Sequence, residues 1–461
     1  MKALRDPDHV LAEGLAAIRG QFRIPAGFPA PVLAAAEAAA MRFPATLADR
    51  TGVPFVTLDP ATSTDLDQAF AIEKMGADLL LHYAIADVAG FVTNGDPIDA
   101  EAWQRGATTY LPDGKAGLYP PVLAERHASL LPDGPRPAVI FTTRVAPHGA
   151  VKLQGVERAI IRSRAKLAYD AVRDADLPAG FAELADRITA AEAQRGAART
   201  DPPEQEVERD ATGHFTLTLR PQLLSERRNA ALSLATNLAV ADALYAAGTG
   251  LFRVMPAPDA RSVALLRQTA KAFGLDWPAA AALADFEHGL DPGNPRHAAF
   301  LLAARRAGNG ASYQPYIPGV VPWHAAMAAT YAHATAPLRR LADRYVVQAA
   351  LAVANGRAVP ADVSEAFQRL PDVMRKADAL SGQVERAVVD LAEAVMLSGR
   401  EGEVFDAVVT DIGEAGARFQ LCAQPVVART AAHGVEPGDC IAVRLVAADP
   451  VRRQISFTRI G

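Results

Sequence analysis

Three aspartates within nine residues form the strongest chemical signal in this 461-residue sequence. Asp65 and Asp67 are two residues apart, so in an extended segment both carboxylates point to the same face. Asp59 lies six residues before Asp65, and the Pro, Thr and Ser residues between them allow a loop to fold back. Three clustered carboxylates need a cation, and oxygen-only ligands favour Mg²⁺ or Mn²⁺. The alternative is a solvated acidic turn in which Asp59 caps backbone amides.

A second signal is a segment that predicts a helix with two arginines in its first turn. Thr335 is a good N-cap, which places Arg339 and Arg340 where the helix dipole already makes the helix end positive. Backbone amides and a forked guanidinium at such a place together form a phosphate site. The alternative is that Asp343 simply pairs with an arginine one turn away.

A third signal is Tyr110, which precedes a Pro-Asp-Gly turn. An aromatic ring beside such a turn could stack on a nucleobase, as in proteins that bind single-stranded nucleic acids. The alternative is a half-buried tyrosine that anchors the loop. The tyrosine alone does not decide between the two.

Composition excludes several classes of protein. Half of the residues are hydrophobic, which excludes a wholly disordered chain, and the net charge of −5 excludes a generally cationic surface. The two cysteines, Cys422 and Cys440, form no disulfide framework and indicate a reducing compartment. Residues 307–338 lack charged side chains, but their prolines and histidines argue against a membrane-spanning helix. With no apolar signal segment at the N-terminus, we expect a cytoplasmic monomer without membrane contact.

The elements around these signals predict three units. Residues 1–50 favour two helices, one starting at Asp6-Pro7 and one running from near Pro31 to Met41. They could form a helix-turn-helix module or a helical cap on the next unit. Residues 51–398 mix strands and helices, and residues 399–461 favour a small antiparallel barrel such as an OB fold.

Periodicity gives the approximate positions of individual elements. Short apolar runs predict strands at 54–58, 79–86 and 138–145, followed by mostly helical sequence between 160 and 400. A charged stretch at 195–212 interrupts that helical pattern. The helix that begins at Thr335 would end at Asn355-Gly356. In the last unit, strands are predicted at 403–412, 417–422, 440–446 and 454–459.

Taken in this order, the segments resemble the RNB-domain exoribonucleases of the bacterial ribonuclease II group. The similarity covers residues 50–400 and rests on segments 58–69, 82–88 and 105–112, and most specifically on the stretch from His324 to Asp343. The C-terminal barrel is similar to the OB-type RNA-binding domain of such enzymes. The resemblance therefore implies a mixed α+β fold with an RNB catalytic domain, a C-terminal OB barrel and a short helical N-terminal segment.

The resemblance also implies an activity and a metal site. Members of this family hydrolyse single-stranded RNA processively from the 3′ end and release 5′-mononucleotides, stopping at a short core. By this likeness Asp59, Asp65 and Asp67 hold Mg²⁺, with Mn²⁺ as an alternative. Asp67 matches the carboxylate most critical for cleavage.

RNA contacts are assigned by the same likeness. Arg339 matches the arginine that grips the scissile phosphate, Tyr110 an aromatic that stacks on the 3′-terminal bases, and Glu385 an acidic residue near the last base. Thr335 and Arg340, at the predicted helix start, complete the expected RNA-binding set.

Three features depart from the family pattern. Gln68 stands where a fourth acidic residue is usual, so we expect it to offer an amide oxygen to the metal with one negative charge fewer. About fifty helical residues stand in place of the usual pair of N-terminal cold-shock domains. The barrel, with 6 Arg and 8 acidic residues in 401–461, predicts a weak RNA grip or one confined to an edge.

Two other functions remain open from the sequence. A non-catalytic RNA-binding protein on the same fold is supported by Gln68 alone. A metal-dependent phosphodiesterase acting on small nucleotides or DNA would use the same acidic cluster. The added barrel and the long Pro-rich segment favour a polymeric substrate over a small one.

Overall fold

The computed structural model describes most of the chain. The residues it leaves undescribed are 1–2, 5–9, 43–46, 198–203, 210–214, 221, 292–293, 309, 414–415, 425, 432–433 and 461. The predicted helix start at Asp6-Pro7 lies outside the described residues, as does part of the charged stretch at 195–212. Among the described helices, none combines the length and the apolar character needed to cross a bilayer.

The helices confirm the predicted pair near the N-terminus and add a helical layer further along the chain. Within the described residues they are Val10–Gln21 (α1), Ala30–Ala40 (α2), Pro97–Arg105 (α3), Phe181–Arg195 (α4), Leu224–Ala246 (α5), Ala260–Ala272 (α6), Leu283–His288 (α7), Pro295–Ala307 (α8), Leu341–Ala354 (α9) and Ala361–Leu397 (α10).

Ten of the 21 described strands form two five-stranded sheets, and the other eleven form one three-stranded and four two-stranded sheets. The strands are Ala3–Leu4 (β1), Ala48–Asp49 (β2), Thr57–Asp59 (β3), Gln68–Met75 (β4), Asp78–Ala86 (β5), Thr109–Leu111 (β6), Gly114–Ala116 (β7), Arg136–Val145 (β8), Val151–Ile161 (β9), Lys166–Ala168 (β10), Glu204–Arg209 (β11), Phe215–Arg220 (β12), Leu251–Val254 (β13), Ser312–Pro315 (β14), Trp323–His324 (β15), Ala329–Thr330 (β16), Val404–Gly413 (β17), Gly416–Leu421 (β18), Val427–Thr430 (β19), Cys440–Asp449 (β20) and Gln454–Ile460 (β21).

The first five-stranded sheet has the order β2-β9-β8-β5-β4 and is antiparallel except where β2 joins β9. The predicted strands at 79–86 and 138–145 are β5 and β8, which pair along their whole shared length. Strands β4 and β9 were not predicted, because each mixes apolar residues with charged ones such as Glu73 and Arg158. Helices α5 and α9 pack against β9 and cover the sheet.

Helix α9 begins later than the sequence predicts. Its N-cap is Arg340 rather than Thr335, so the two predicted first-turn arginines precede the helix. The backbone at 336–340 forms a turn because the carboxylate of Asp343 accepts a hydrogen bond from the Ala336 amide at 2.8 Å. The predicted end is confirmed, since Asn355 caps the helix and Gly356 takes a φ of 64°.

The C-terminal sheet has the order β19-β18-β17-β20-β21. Its two outer strands approach each other, with Thr430 Oγ1 donating to the carbonyl of Phe457 at 3.1 Å, so the barrel is nearly closed. The interior is apolar and includes Val409, Phe419 and Val443. This barrel, together with the mixed sheet-and-helix unit before it, confirms the predicted α+β fold class.

Helix α10 leads from the mixed sheet-and-helix unit to the C-terminal barrel, and the N-terminal helix α1 packs against it. The apolar stripe of α1 (Leu11, Leu15 and Ile18) packs into one cluster with α10 residues such as Leu391. Arg19 of α1 also donates to the carboxylate of Asp113, in the turn between β6 and β7, at 2.7 and 3.2 Å. The apolar face of α1 is thus buried against α10, as expected for a helical cap.

Candidate active site

Residues 59–67, here called the acidic loop, join the end of β3 to the start of β4. Lys166 Nζ donates to two backbone carbonyls of this loop, at 2.8 and 2.6 Å. On the opposite side Ser129 Oγ accepts a hydrogen bond from the Leu66 amide and donates to the Thr64 carbonyl, both at 2.8 Å. These contacts fix the loop in a folded-back conformation between two strands.

Asp67 brings the acidic loop and the turn before α9 together. Its Oδ1 accepts a hydrogen bond from the Leu338 amide at 2.7 Å, and its Oδ2 lies 3.4 Å from Arg339 Nε. The residue is only 4% exposed. Burial raises the pKa of Asp67 to about 8 even though the Arg339 guanidinium and the Leu338 amide favour its charged form. Leu338 and Asp67, which are 271 positions apart in sequence, are thus joined by a hydrogen bond.

The other two aspartates lie close by but have different partners. Burial raises the pKa of Asp59 to about 7, against the charge of Arg339, and the neighbouring Asp65 raises it further. Asp65 itself forms a 2.7 Å ion pair with Lys115. Among the described residues, no three Asp, Glu, His or Cys side chains are arranged so that they could hold one metal ion.

The donor set nevertheless fits a hard divalent cation at two of its members. Asp59 and Asp67 are carboxylates withdrawn from water, and both are influenced by Arg339 and Asp65. Mg²⁺ typically binds through one or two carboxylates and keeps its remaining positions for water and substrate phosphates. Asp59 and Asp67 are therefore the residues that would hold the metal, and Asp65 would join them only by leaving Lys115.

The raised pKa values of Asp59 and Asp67 predict a pH-dependent stability for the metal-free protein. Between about pH 4 and about pH 8 the folded state retains protons that an unfolded aspartate has released, so the free energy of unfolding falls as pH rises. Thermal unfolding in EDTA should show a falling Tm across this range, and a smaller fall in Asp67→Asn. A parent and a variant with the same pH profile would contradict the prediction.

Gln68 has both ends of its amide engaged within the protein. Its Nε2 donates to the Thr335 carbonyl at 2.8 Å, and its Oε1 accepts from the Tyr83 hydroxyl. The sequence predicts this oxygen as a metal ligand, whereas here it accepts from Tyr83 on the neighbouring strand β5, and the amide nitrogen joins the sheet to the segment before α9. A neutral amide suits that position because it must donate to a carbonyl and accept from a phenol.

We expect Gln68→Asp to lower the free energy of unfolding by about 1–3 kcal/mol, because the Thr335 carbonyl loses its donor and faces a carboxylate. Urea unfolding at neutral pH measures the loss, and Gln68→Glu serves as the matched control of equal length. If position 68 ligates the metal, as the sequence predicts, the new carboxylate also tightens Mg²⁺ binding. An unchanged urea midpoint would show that the amide contact contributes little.

The turn before α9 separates the roles of its residues. Arg339 is exposed and reaches Asp67, whereas Arg340 forms a bidentate pair with Asp343 at 2.8 and 2.9 Å. The alternative in which Asp343 pairs with a nearby arginine is thus confirmed for Arg340. Thr335 is 1% exposed, and its hydroxyl bonds to Ser233 at 2.8 Å. The predicted N-cap role of Thr335 is wrong, because internal hydrogen bonds occupy its side chain.

A cavity of about 680 Å³ opens beside the acidic loop. It is lined by Tyr110, which is 53% exposed, by Tyr169, and by Glu385 on α10. The structure thus places the predicted Tyr110 and Glu385 in one cavity, next to Pro60 of the loop. Two aromatic rings in one cavity can stack on successive nucleobases.

Sequence reasoning missed Tyr169 and Lys115. Tyr169 follows β10, which pairs in parallel with β3 so that Ala168 lies opposite Asp59. Lys115 lies on β7, whose partner β6 carries Tyr110. Neither has a local signal, because a parallel pairing and a short hairpin bring them to the site from distant positions. The one sequence signal for Lys115 is its place in a short hairpin opposite Tyr110, which the sequence already assigns to the site.

Comparison with known proteins gives two domain matches. Residues 48–354 match the RNB domain, and residues 403–460 match the RNase II-type exonuclease C-terminal S1 domain. Among curated proteins, Ribonuclease R of Aquifex aeolicus is 27% identical over 385 residues, covering 77% of this chain and 53% of that protein. The chain spans between about half and two thirds of the length of the first relatives it matches.

Solved structures show the same fold. RNase R of Mycoplasma genitalium in complex with ribose-methylated single-stranded RNA has a TM-score of 0.85 at 20% identity, covering all of this chain and 79% of that one. Yeast Ssd1, described as a pseudonuclease, has a TM-score of 0.69 at 17% identity and covers 96% of this chain and 57% of its own. One fold therefore includes a ribonuclease and a pseudonuclease.

Proposed function

We propose that this chain, which belongs to the RNB-domain ribonuclease family, hydrolyses single-stranded RNA processively from the 3′ end to 5′-mononucleotides. The observation that carries the proposal is the contact between buried Asp67 and Arg339 near a cavity lined by two tyrosines. The proposal includes a monomeric protein acting in the cytoplasm.

The proposed chemistry divides between the carboxylates and the arginine. RNB-family ribonucleases generally depend on a divalent metal, and Asp59 and Asp67 are the residues that would hold it here, with Mg²⁺ as the proposed ion. When bound, such an ion activates water and stabilises charge on the phosphate. Arg339, which lies beside Asp67, would donate to the phosphate oxygens and stabilise the charge that develops there. The Leu338 amide keeps Asp67 oriented throughout.

The cavity supports the proposed preference for a single strand. Bases can lie against Tyr110 and Tyr169 only when they are unstacked from a partner strand. Its walls are otherwise mainly apolar, including Leu223 and Val388, which suits base faces rather than phosphates.

A non-catalytic RNA-binding protein is the second candidate. It is favoured by one observation, the absence of a three-ligand metal cluster in the described residues, and a pseudonuclease with this fold exists. The two candidates predict the same RNA binding and differ in cleavage. Cleavage therefore decides between them.

The deciding experiment is a time course on a 5′-labelled single-stranded oligoribonucleotide with Mg²⁺ and then with EDTA. We expect a ladder that shortens from the 3′ end to a short core and disappears in EDTA. A deoxyribo-oligomer of the same sequence is the matched control, because the 2′-OH distinguishes RNA from DNA. An intact oligoribonucleotide that still shifts on a gel would support the non-catalytic candidate, and equal cleavage of DNA would favour a general phosphodiesterase.

A further inference from the structure

Lys115 joins the acidic loop to a second acidic residue outside it. Its Nζ lies 2.7 Å from Asp65 Oδ1 and 3.2 Å from Glu125 Oε1. The three side chains come from different elements: the acidic loop, strand β7 and the single helical turn Leu123–His127. One ammonium therefore lies between two carboxylates that would otherwise repel each other.

All three charges are partly withdrawn from solvent. The side chains of Lys115, Asp65 and Glu125 are 22%, 12% and 32% exposed. Ion pairs shielded in this way are screened less by salt than surface pairs, and removing one partner leaves the other charges uncompensated. The ammonium of Lys115 thus compensates negative charge at the acidic loop and is not a fully solvated surface group.

The lysine hairpin is also fixed in position. The turn between β6 and β7 is tied to α1 through Asp113 and Arg19. Leu111 and Ala116, on either side of that turn, are buried in the cluster formed by α1 and α10. Lys115 therefore reaches Asp65 from a rigid support, and the ammonium does not depend on a mobile loop for its place.

The neighbouring carboxylates have a different environment. Asp67 has the guanidinium of Arg339 at 3.4 Å and a backbone amide, and Gln68 beside it is neutral. Asp65 alone has an ammonium at ion-pair distance. The three aspartates of the loop therefore differ: Asp65 is paired with a lysine ammonium, Asp67 is paired with a guanidinium, and Asp59 has neither of these at ion-pair distance among the described residues.

We propose that Lys115 is a tethered cation that occupies the place of a metal ion between Asp65 and Glu125. The active site then binds one divalent cation per chain, at Asp59 and Asp67. The inference rests on the proposed function, because it concerns the metal of that same site. A lysine ammonium is a compact point charge that balances carboxylates but cannot exchange ligands as a metal does.

Counting bound Mn²⁺ tests the inference without any RNA. Free Mn²⁺ is measured by electron paramagnetic resonance while the metal-free protein is titrated. We expect one ion per chain in the parent and two in Lys115→Met, because the released Asp65 and Glu125 form a second oxygen site. The double variant Lys115→Met with Asp65→Asn should return to one.

Two controls separate the effect from a general change of charge or fold. Lys152→Met removes an exposed lysine on β9 and should bind one ion, as should Lys115→Arg, which keeps the charge. Circular dichroism and Tm confirm that each variant is folded. A parent that binds two ions or none, or a folded Lys115→Met that still binds one, would overturn the inference.

Failure of this inference is distinguishable from failure of the proposed function. A parent that degrades RNA while binding two Mn²⁺ keeps the function and removes the role of Lys115. A parent that binds one Mn²⁺, gains a second in Lys115→Met and leaves RNA intact keeps the role of Lys115 and removes the function.

Discussion

Asp67→Asn is expected to slow RNA cleavage by at least about 10³-fold while leaving RNA affinity nearly unchanged. Asparagine keeps an oxygen that can accept the hydrogen bond from the Leu338 amide, so the local fold is retained. The charge that would hold the metal and that faces Arg339 is lost. The change therefore acts on the chemistry rather than on the scaffold.

Single-turnover cleavage of a labelled oligoribonucleotide measures the rate, and fluorescence anisotropy of the same RNA measures the affinity. Asp372→Asn is the matched control, because Asp372 is an exposed residue of α10 with a side chain 79% accessible. It should leave both quantities at the parent values. An Asp67→Asn variant that cuts as fast as the parent would remove Asp67 from the active site.

Arg339→Ala is expected to slow the chemical step by about 10²-fold and to weaken RNA binding far less. The guanidinium is exposed and lies beside a buried carboxylate, so its charge is available to a phosphate rather than consumed in a closed pair. Rate and affinity are measured under the same single-turnover conditions. An equal loss in both would make Arg339 a positioning contact.

Arg340→Ala is the informative comparison for Arg339. Arg340 is paired with Asp343, which is fully buried, so its removal leaves a carboxylate without its partner. We expect that variant to lose about 3–5 kcal/mol of stability, with a clear fall in Tm. Arg339→Ala should keep a Tm near that of the parent. Two adjacent arginines would thus separate into a chemical role and a structural role.

The site could be predicted only where its signals are local. The spacing of Asp65 and Asp67 and the doublet of Arg339 and Arg340 are visible in the sequence. Their contact is not, because Asp67 meets Arg339 across more than 250 residues through the packing of two separate segments. Only the tertiary structure shows that Arg339 contacts Asp67 and that Arg340 pairs with Asp343.

The fold shows the same limit. Strands β5 and β8 are rich in apolar residues and buried along most of their length, so the sequence predicts them closely. Strand β9 is half-exposed and alternates with charged residues, so its pattern is weak. The start of α9 was misplaced because the Asp343 side chain holds the preceding backbone in a turn that a capping rule cannot anticipate.

Under the proposed function, helix α10 sets the length that an RNA would need in order to contact both the cavity and the barrel. Glu385 lines the cavity, and Leu397 on the same helix is buried in the barrel core. At 1.5 Å per residue, the twelve steps between them span about 18 Å. A stacked strand advances about 3.4 Å per nucleotide, so roughly five nucleotides cover that distance. Under the proposed function, a shorter oligomer held in the cavity does not reach the barrel, so it lacks any contact that the barrel would add and is expected to dissociate sooner.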